Sequence, residues 1–294
     1  MPDLYVCGVP MALGDYYRDS CSAATTYAYS YGYARAQLNG ERTELTLYRF
    51  AKGGEGNTPA IHSPGSLLLI LDGDNYIDSE NAPTIKLDNG SMEVLNRSST
   101  DEGRLFITAE GSDGIQLSKG SYYQTSGIIN ITAQAAGVNV YDKKVEITGG
   151  ELNIESGTYG ISCNKFSMSG GKLLACGNTR AIDETMGFNY SPLPIFASTS
   201  PSGTLGTYKY ANHNSYKVIS IGYTTAPVLS IPGDVDNDGD VDLDDAIYLL
   251  YHVNFKETYP VGQSVDFNGD GGDDLDDTIY LLYHVNFKET YPLH

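Results

Sequence analysis

Two short acidic runs carry the clearest chemistry in the chain. Asp234, Asp236, Asp238, Asp242 and Asp245 place oxygen-bearing side chains at positions 1, 3, 5, 9 and 12 of a twelve-residue loop with glycine at position 6. Asp266, Asn268, Asp270, Asp274 and Asp277 repeat that spacing 32 residues later, again with glycine at 6. A hard cation that takes about six to eight oxygens requires this pattern: the glycine permits the sharp turn, and position 7 adds a backbone carbonyl. Carboxylates at this density otherwise repel one another. An acidic, disordered tail is the bland alternative, but disorder gives no reason for glycine at the same place twice or for an apolar helix after each loop. Two bound calcium ions are expected.

The elements that position these loops are also duplicated. Ala246 to Pro260 recurs as Thr278 to Pro292. After the first loop, apolar residues fall at 246, 247, 249, 250 and 253, more than one buried stripe of a small helix needs. Ala246, Leu249 and Val253, spaced i, i+3, i+7, suffice for an inner stripe. Ile247, Leu250 and Tyr251, with Ile279, Leu282 and Tyr283 in the repeat, then form an exposed apolar face of the kind that marks a protein interface. The alternative is a two-helix module that buries them all. The near two-fold symmetry lets either helix present the same face to a partner, in two orientations.

Over about 233–292, the duplicated loop-plus-helix pattern, with Asp at position 12 where a common EF-hand has Glu, resembles the type I dockerin family. These modules plug secreted enzymes and binding proteins into cellulosome scaffolds. The resemblance implies Asp234, Asp236, Asp238, Asp242 and Asp245 as side-chain ligands of one calcium, with the Asp240 carbonyl. It implies Asp266, Asn268, Asp270, Asp274 and Asp277, with the Gly272 carbonyl, for the second. The implied partner is a cohesin module of a scaffold protein, read by Leu243, Asp244, Leu250 and Tyr251 and by Leu275, Asp276, Leu282 and Tyr283. Many clostridial dockerins carry Ser/Thr and a basic residue there, so a cohesin of another specificity group is implied. Asp273 at loop position 8, where the first loop has Val241, departs from the family and weakens the pairing between loops.

The whole chain has 294 residues, 24 tyrosines, no tryptophan and a formal charge of −19. Residues 233–294 hold 15 acidic against 2 basic residues, so −13 of that charge sits in the calcium module. An acidic chain without a basic patch argues against nucleic acid. The longest apolar run, Leu67 to Leu71, is far too short to span a membrane. The start, Met1-Pro-Asp-Leu-Tyr, has neither the basic residues nor the apolar run of a secretory signal. Since a dockerin serves outside the cell, attached to a scaffold or cell surface, a trimmed leader or a truncated start is expected.

Between about 60 and 185 the chain repeats more quietly. The dipeptides Gly114-Ile115, Gly137-Val138, Gly160-Ile161 and Ala181-Ile182 are spaced 23, 23 and 21 residues. At those offsets one column reads Leu105, Ile129, Leu152, Leu173 and the next Ile107, Ile131, Ile154, Ala175. A third reads Ile115, Val138, Ile161, Ile182, and a fourth Leu117, Val140, Cys163, Glu184. Within each rung apolar and polar residues alternate, the period of a strand, and turn residues punctuate them. Short strands stacked in phase describe a right-handed parallel β-helix. A leucine-rich repeat lacks its motif here, and a β-sandwich gives no columns in constant phase. The expected class is mainly β, with a small α-helical calcium module at the C-terminus. The expected organisation is a β cap over 1–60, the β-helix over 61–223, a linker over 224–232 and the dockerin-like module over 233–294. Ser66 to Ile70 and Thr84 to Leu87 read as irregular opening rungs, Glu184 as the end of the regular stack, Ser191 to Gly206 as loop, and Tyr208 to Tyr223 as a closing strand pair.

The repeat and its opening, Leu4 to about Phe50 and then Gly65 to Asn75, resemble the β-helical carbohydrate-binding proteins found beside dockerins in fibre-degrading anaerobes, some of which bind pectic polymers such as polygalacturonate. This likeness implies a plant cell-wall or other polysaccharide as ligand, bound without cleavage. A polysaccharide lyase or glycoside hydrolase on the same scaffold is the alternative. The outward columns Phe106, Asn130, Asn153, Leu174 and Gln116, Asn139, Ser162, Asp183 hold no carboxylate cluster. Asp113 and Asp183 with Arg104 or Arg180 are the catalytic candidates that can be assembled, and turn or surface roles account for them better. Tyr27, Tyr29, Tyr31 and Tyr33 alternate, so on a strand their rings share one side: a platform for sugar rings, or a strand capping the solenoid. Cys163 reads as a buried thiol, and the four cysteines form no metal motif.

Overall fold

The computed structural model describes residues 4–11, 16–18, 23–24, 33–39, 42–97, 103–201, 204–227, 233–236, 241–256, 258–259, 261, 265–269, 272, 274–288 and 290–293. The chain divides into two compact units, one over Met1–Pro201 and Leu205–Pro227, the other taking in Val228–His294.

The first unit is a β-solenoid of about six coils. Each full coil supplies three short strands to three faces. The first face stacks Ile61–Ser63, Ile85–Leu87, Ile115–Leu117 and Val138–Asn139, then the opening halves of Tyr159–Met168 and Arg180–Asn189. The second stacks Leu67–Asp72, Met92–Asn96, Tyr122–Gln124 and Lys144–Ile147, then the closing halves of those same two long strands. The third stacks Asp74–Ser79, Arg104–Ala109, Ile128–Ala133, Glu151–Ser156 and Lys172–Gly177. All these pairings are parallel.

The predicted columns are neighbours in register. Leu105, Ile129, Leu152 and Leu173 pair in sequence, as do Ile107, Ile131, Ile154 and Ala175, and all eight are buried. Every coil thus buries a like side chain on the one before, so removal of apolar surface from water recurs at each step along the axis. The glycine of the Gly-Ile dipeptides is dictated by close approach. A Cβ at Gly137 would lie 2.1 Å from Ile154 Cγ2 and 2.7 Å from the Gly160 carbonyl.

Ser66 to Ile70 and Thr84 to Leu87 fall in regular rungs. The irregular period comes instead from the 30 residues between Ile85 and Ile115, which pair directly across adjacent coils. Arg180–Asn189 runs past Glu184, which pairs with Cys163 and lies 3.6 Å from His213, and the register shifts only beyond it, between Cys163 and Lys165.

At the N-terminal end, Leu4–Val6 pairs antiparallel with Ile61–Ser63 on one side and with Val9–Met11 on the other. The hairpin Tyr33–Asn39 with Arg42–Tyr48 lays its second strand parallel to Leu67–Asp72. At the other end, Val218–Ile221 pairs antiparallel with both Lys172–Gly177 and Ile195–Ser198. The region read as loop therefore holds a strand, and the expected closing pair is one strand preceded by the 3-10 turn Tyr210–Ser215. An antiparallel strand ends the ladder by occupying the last edge.

In the second unit, α1 (Leu243–Asn254) and α2 (Leu275–Asn286) are near copies. Val235, Ala246, Leu249, Val265, Phe267 and Leu281 form their small core. Among the described residues, no helix is long and apolar enough to cross a membrane.

Candidate functional site

The second face of the solenoid carries a groove of about 700 Å³. Its floor is a register row: Glu93 pairs with Tyr123, and Tyr123 with Glu146. One carboxylate therefore stands a coil to either side of the ring. Each is held by a base. Arg42, at the start of the capping strand, bonds Glu93, and Lys144 Nζ lies 2.6 Å from Glu146. The same ammonium sits 4.8 Å from the Tyr123 ring centre, within cation–π range. The hydrogen bond to Glu146, only partly offset by burial, raises the Lys144 pKa, and the neighbouring Tyr123 adds to the rise. Ser91 and Thr148 line the groove with hydroxyls. An aromatic ring among paired charges and hydroxyls suits a ligand with apolar C–H faces and many hydroxyl groups.

The third face presents a second feature. Tyr76 and Phe106 stack at 4.7 Å with planes 8° apart, and the row continues through Asn130 and Asn153, whose amides bond at 3.0 Å. Tyr76 remains half exposed. Sequence columns contained Phe106, Asn130 and Asn153. Tyr76 pairs with Phe106 from one coil earlier, 30 residues back, where the 21–24-residue spacing of the later coils does not reach.

The catalytic candidates do not converge. Asp113 is buried and accepts hydrogen bonds from the Ala136 backbone N–H, Gln116 and Asn139, each at 3.0 Å. That is a turn-bracing role. Asp183, bonded to Arg180, belongs to the row Gln116, Asn139, Ser162, Asp183 and lies two to three coils away, roughly 10–14 Å at ordinary strand spacing. Arg104 is on another face, 3.8 Å from Asp74. Of the alternating tyrosines, Tyr33 is buried and stacked on Tyr48 at 5.2 Å, while Tyr27, Tyr29 and Tyr31 lie outside the described residues.

In the second unit, the ligand atoms of Asp234, Asp236 and Asp245 all lie within 4.8 Å of one another, with Asp234 and Asp245 buried. Asp245 accepts from the backbone N–H groups of Val235 at 2.6 Å, Asp236 at 3.2 Å and Asp242 at 2.7 Å. Asp277 repeats this with Phe267, Asn268 and Asp274 at 2.8, 3.2 and 3.0 Å. Asp242 and Asp274 also close capping boxes on α1 and α2, so each loop is locked to its helix. Burial pushes the Asp245 pKa up against those hydrogen bonds, and Asp236 adds to the rise. Three converging acids, two of them buried, suit a hard cation. Asp266 and Gly272 fall in the described part of the second loop; Asp238, Asp240 and Asp270 lie outside the described residues.

The helices expose the residues read as a face. Leu243, Ile247, Leu250 and Tyr251 are exposed, and so are Leu275, Ile279, Leu282 and Tyr283, with Asp244 and Asp276 beside them. Ala246 and Leu249 are buried, Leu281 likewise. Phe255 and Phe287, just past the helix ends, are also exposed; as single residues beyond the helical period they gave no signal. Tyr251 and Tyr283 are propped by Tyr259 and Tyr291 at 5.1 and 5.0 Å. His252 and His284 bond the Tyr259 and Tyr291 carbonyls at 2.6 and 2.7 Å, closing the helix ends.

Neither the curated proteins nor the solved structures gave a match to this chain. Over residues 96–183, the coils that carry Tyr123, Lys144 and Glu146, the chain is similar to a family described as carbohydrate-binding domain-containing protein.

Proposed function

We propose that the solenoid binds polysaccharide without cleaving it, and that the C-terminal unit is a calcium-dependent docking module of the dockerin type. The observation that carries the first part is the second-face groove, whose Tyr123, Glu146 and Thr148 wall lies within the segment similar to a carbohydrate-binding family. Both groove carboxylates are engaged by bases, whereas a glycosidase needs one carboxyl free to act as an acid. The catalytic candidates elsewhere are dispersed.

Support for the second part is the duplicated acid-rich loop and the apolar face repeated on α1 and α2. Calcium offsets the repulsion within each loop, so folding of this unit is coupled to the metal. A cohesin on an extracellular scaffold is the partner this reading assigns, and plant cell-wall polysaccharide the ligand class.

The full chain, mixed with pectic, cellulosic, starch and xylan polymers in calcium, tests the first part. Retention on one polymer without new chain ends or unsaturated products is expected. Product formation would overturn the non-catalytic reading. Capture by an immobilised cohesin panel, lost on chelation, tests the second part, and capture indifferent to chelation would refute it.

A further inference from the structure

The two acidic loops of the second unit share one frame and differ in what they offer a cation. Asp245 and Asp277 each accept three backbone N–H groups, and a capping box opens each helix. The first loop (234–245) carries five carboxylates at its oxygen positions, Asp234, Asp236, Asp238, Asp242 and Asp245. The second (266–277) carries four, because Asn268 stands where Asp236 does. The affinity of such a site for a divalent cation is set by the number of charged ligands and by the rigidity of the loop.

Rigidity favours the first loop as well. The second holds Gly269, Gly271 and Gly272 where the first holds Asn237, Gly239 and Asp240, and glycine gives up more conformational freedom on ordering than any other residue. Val241 packs against the small core of the unit, whereas its counterpart is Asp273, whose charge resists that burial. In the helix that follows, the buried methyl of Ala246 is matched by Thr278, whose buried hydroxyl meets no hydrogen-bond partner among the described residues. A buried hydroxyl without a partner costs stability that a methyl does not.

Resting on the reading of this unit as a calcium-dependent docking module, we infer that its loops fill in order, the first at lower calcium than the second, so that calcium sets how many docking faces the unit presents. Between the two steps the α1 face, with Ile247, Leu250 and Tyr251, stands on a closed loop. The loop leading into α2 and its matching face is then still open.

The full chain, stripped of calcium and titrated with calcium alone, tests this by calorimetry together with hydrogen exchange at each step. Two steps at least about tenfold apart are expected, with amides of Leu243–Asn254 protected in the first and those of Leu275–Asn286 in the second. Asn268→Asp is expected to tighten the second step and leave the first unchanged, and Asp236→Asn to weaken the first. Should Asp236→Asn not fold, Asn268→Asp decides alone: an unchanged gap between the steps overturns the assignment. Two equal steps, both helices protected together, or α2 protected first overturns the order and leaves the docking module standing. No calcium uptake overturns both.

Discussion

The Lys144 ammonium lies 4.8 Å from the centre of the Tyr123 ring while its hydrogen bond goes to Glu146. One cation thereby fixes both the ring and the carboxylate that border the groove. Lys144→Met frees Glu146 and releases Tyr123, so sugar affinity is expected to fall about three- to tenfold by titration calorimetry, with little change in melting temperature because the pair is partly solvated. Tyr76→Ala, on the third face, is expected to leave that affinity unchanged. The raised Lys144 pKa keeps its contribution complete below the unfolded value of 10.5 and removes it only as pH climbs above that, so binding is expected to be flat through neutral pH.

Asp245 and Asp277 each tie their loop to the following helix through three backbone N–H groups. Asp245→Asn or Asp277→Asn is expected to reduce calcium stoichiometry from two to one by equilibrium dialysis, and both together to abolish it. Chelation of the wild-type chain is expected to lower helical circular dichroism while the β signal of the solenoid persists.

The two helix faces are near copies, with Tyr251 and Tyr283 equally exposed. Tyr251→Ala or Tyr283→Ala alone is expected to change cohesin affinity about twofold or less, since the other face remains available. The double variant is expected to lose about 100-fold or more by surface plasmon resonance.

Burial pushes the Cys163 and Cys176 thiols up to about 12, with Glu184 and Asp183 adding to the first and Glu155 to the second. Both remain protonated at pH 8 and are therefore poor nucleophiles. In a Cys7→Ser, Cys21→Ser variant, neither is expected to react with a disulfide reagent at that pH until denaturant is added.

His213 closes the C-terminal end of the solenoid, its ring bonded to the Tyr208 hydroxyl at 2.9 Å and 3.6 Å from Glu184. Its pKa is lowered, chiefly by burial, with Glu184 opposing and Arg180 assisting. The unfolded chain then binds the proton more readily, so stability is expected to decline as pH falls below the unfolded value of 6.5. His213→Gln is expected to flatten that decline in denaturant midpoints taken from pH 7 to 5.

The inward columns and the acidic loops could be read from the sequence alone, for one physical reason. Parallel, in-register coils bury like on like, so Leu105, Ile129, Leu152 and Leu173 recur at nearly constant spacing, and Asp234, Asp236 and Asp245 converge from a stretch of only twelve residues. The exposed face of α1 was equally legible, because a helix has a fixed period. Outward residues obey no such rule. Arg42 and Glu93 are 51 residues apart, Tyr123 and Glu146 come from further coils, and nothing in their spacing joins them until the chain is wound. The alternating tyrosines gave a periodic signal, but Tyr33 shows why period alone does not expose a ring: its partner Tyr48 comes from the other strand of a hairpin. Apolar burial repeats along the chain and leaves a trace in sequence; a groove is assembled between coils, and only the tertiary structure brings its walls together.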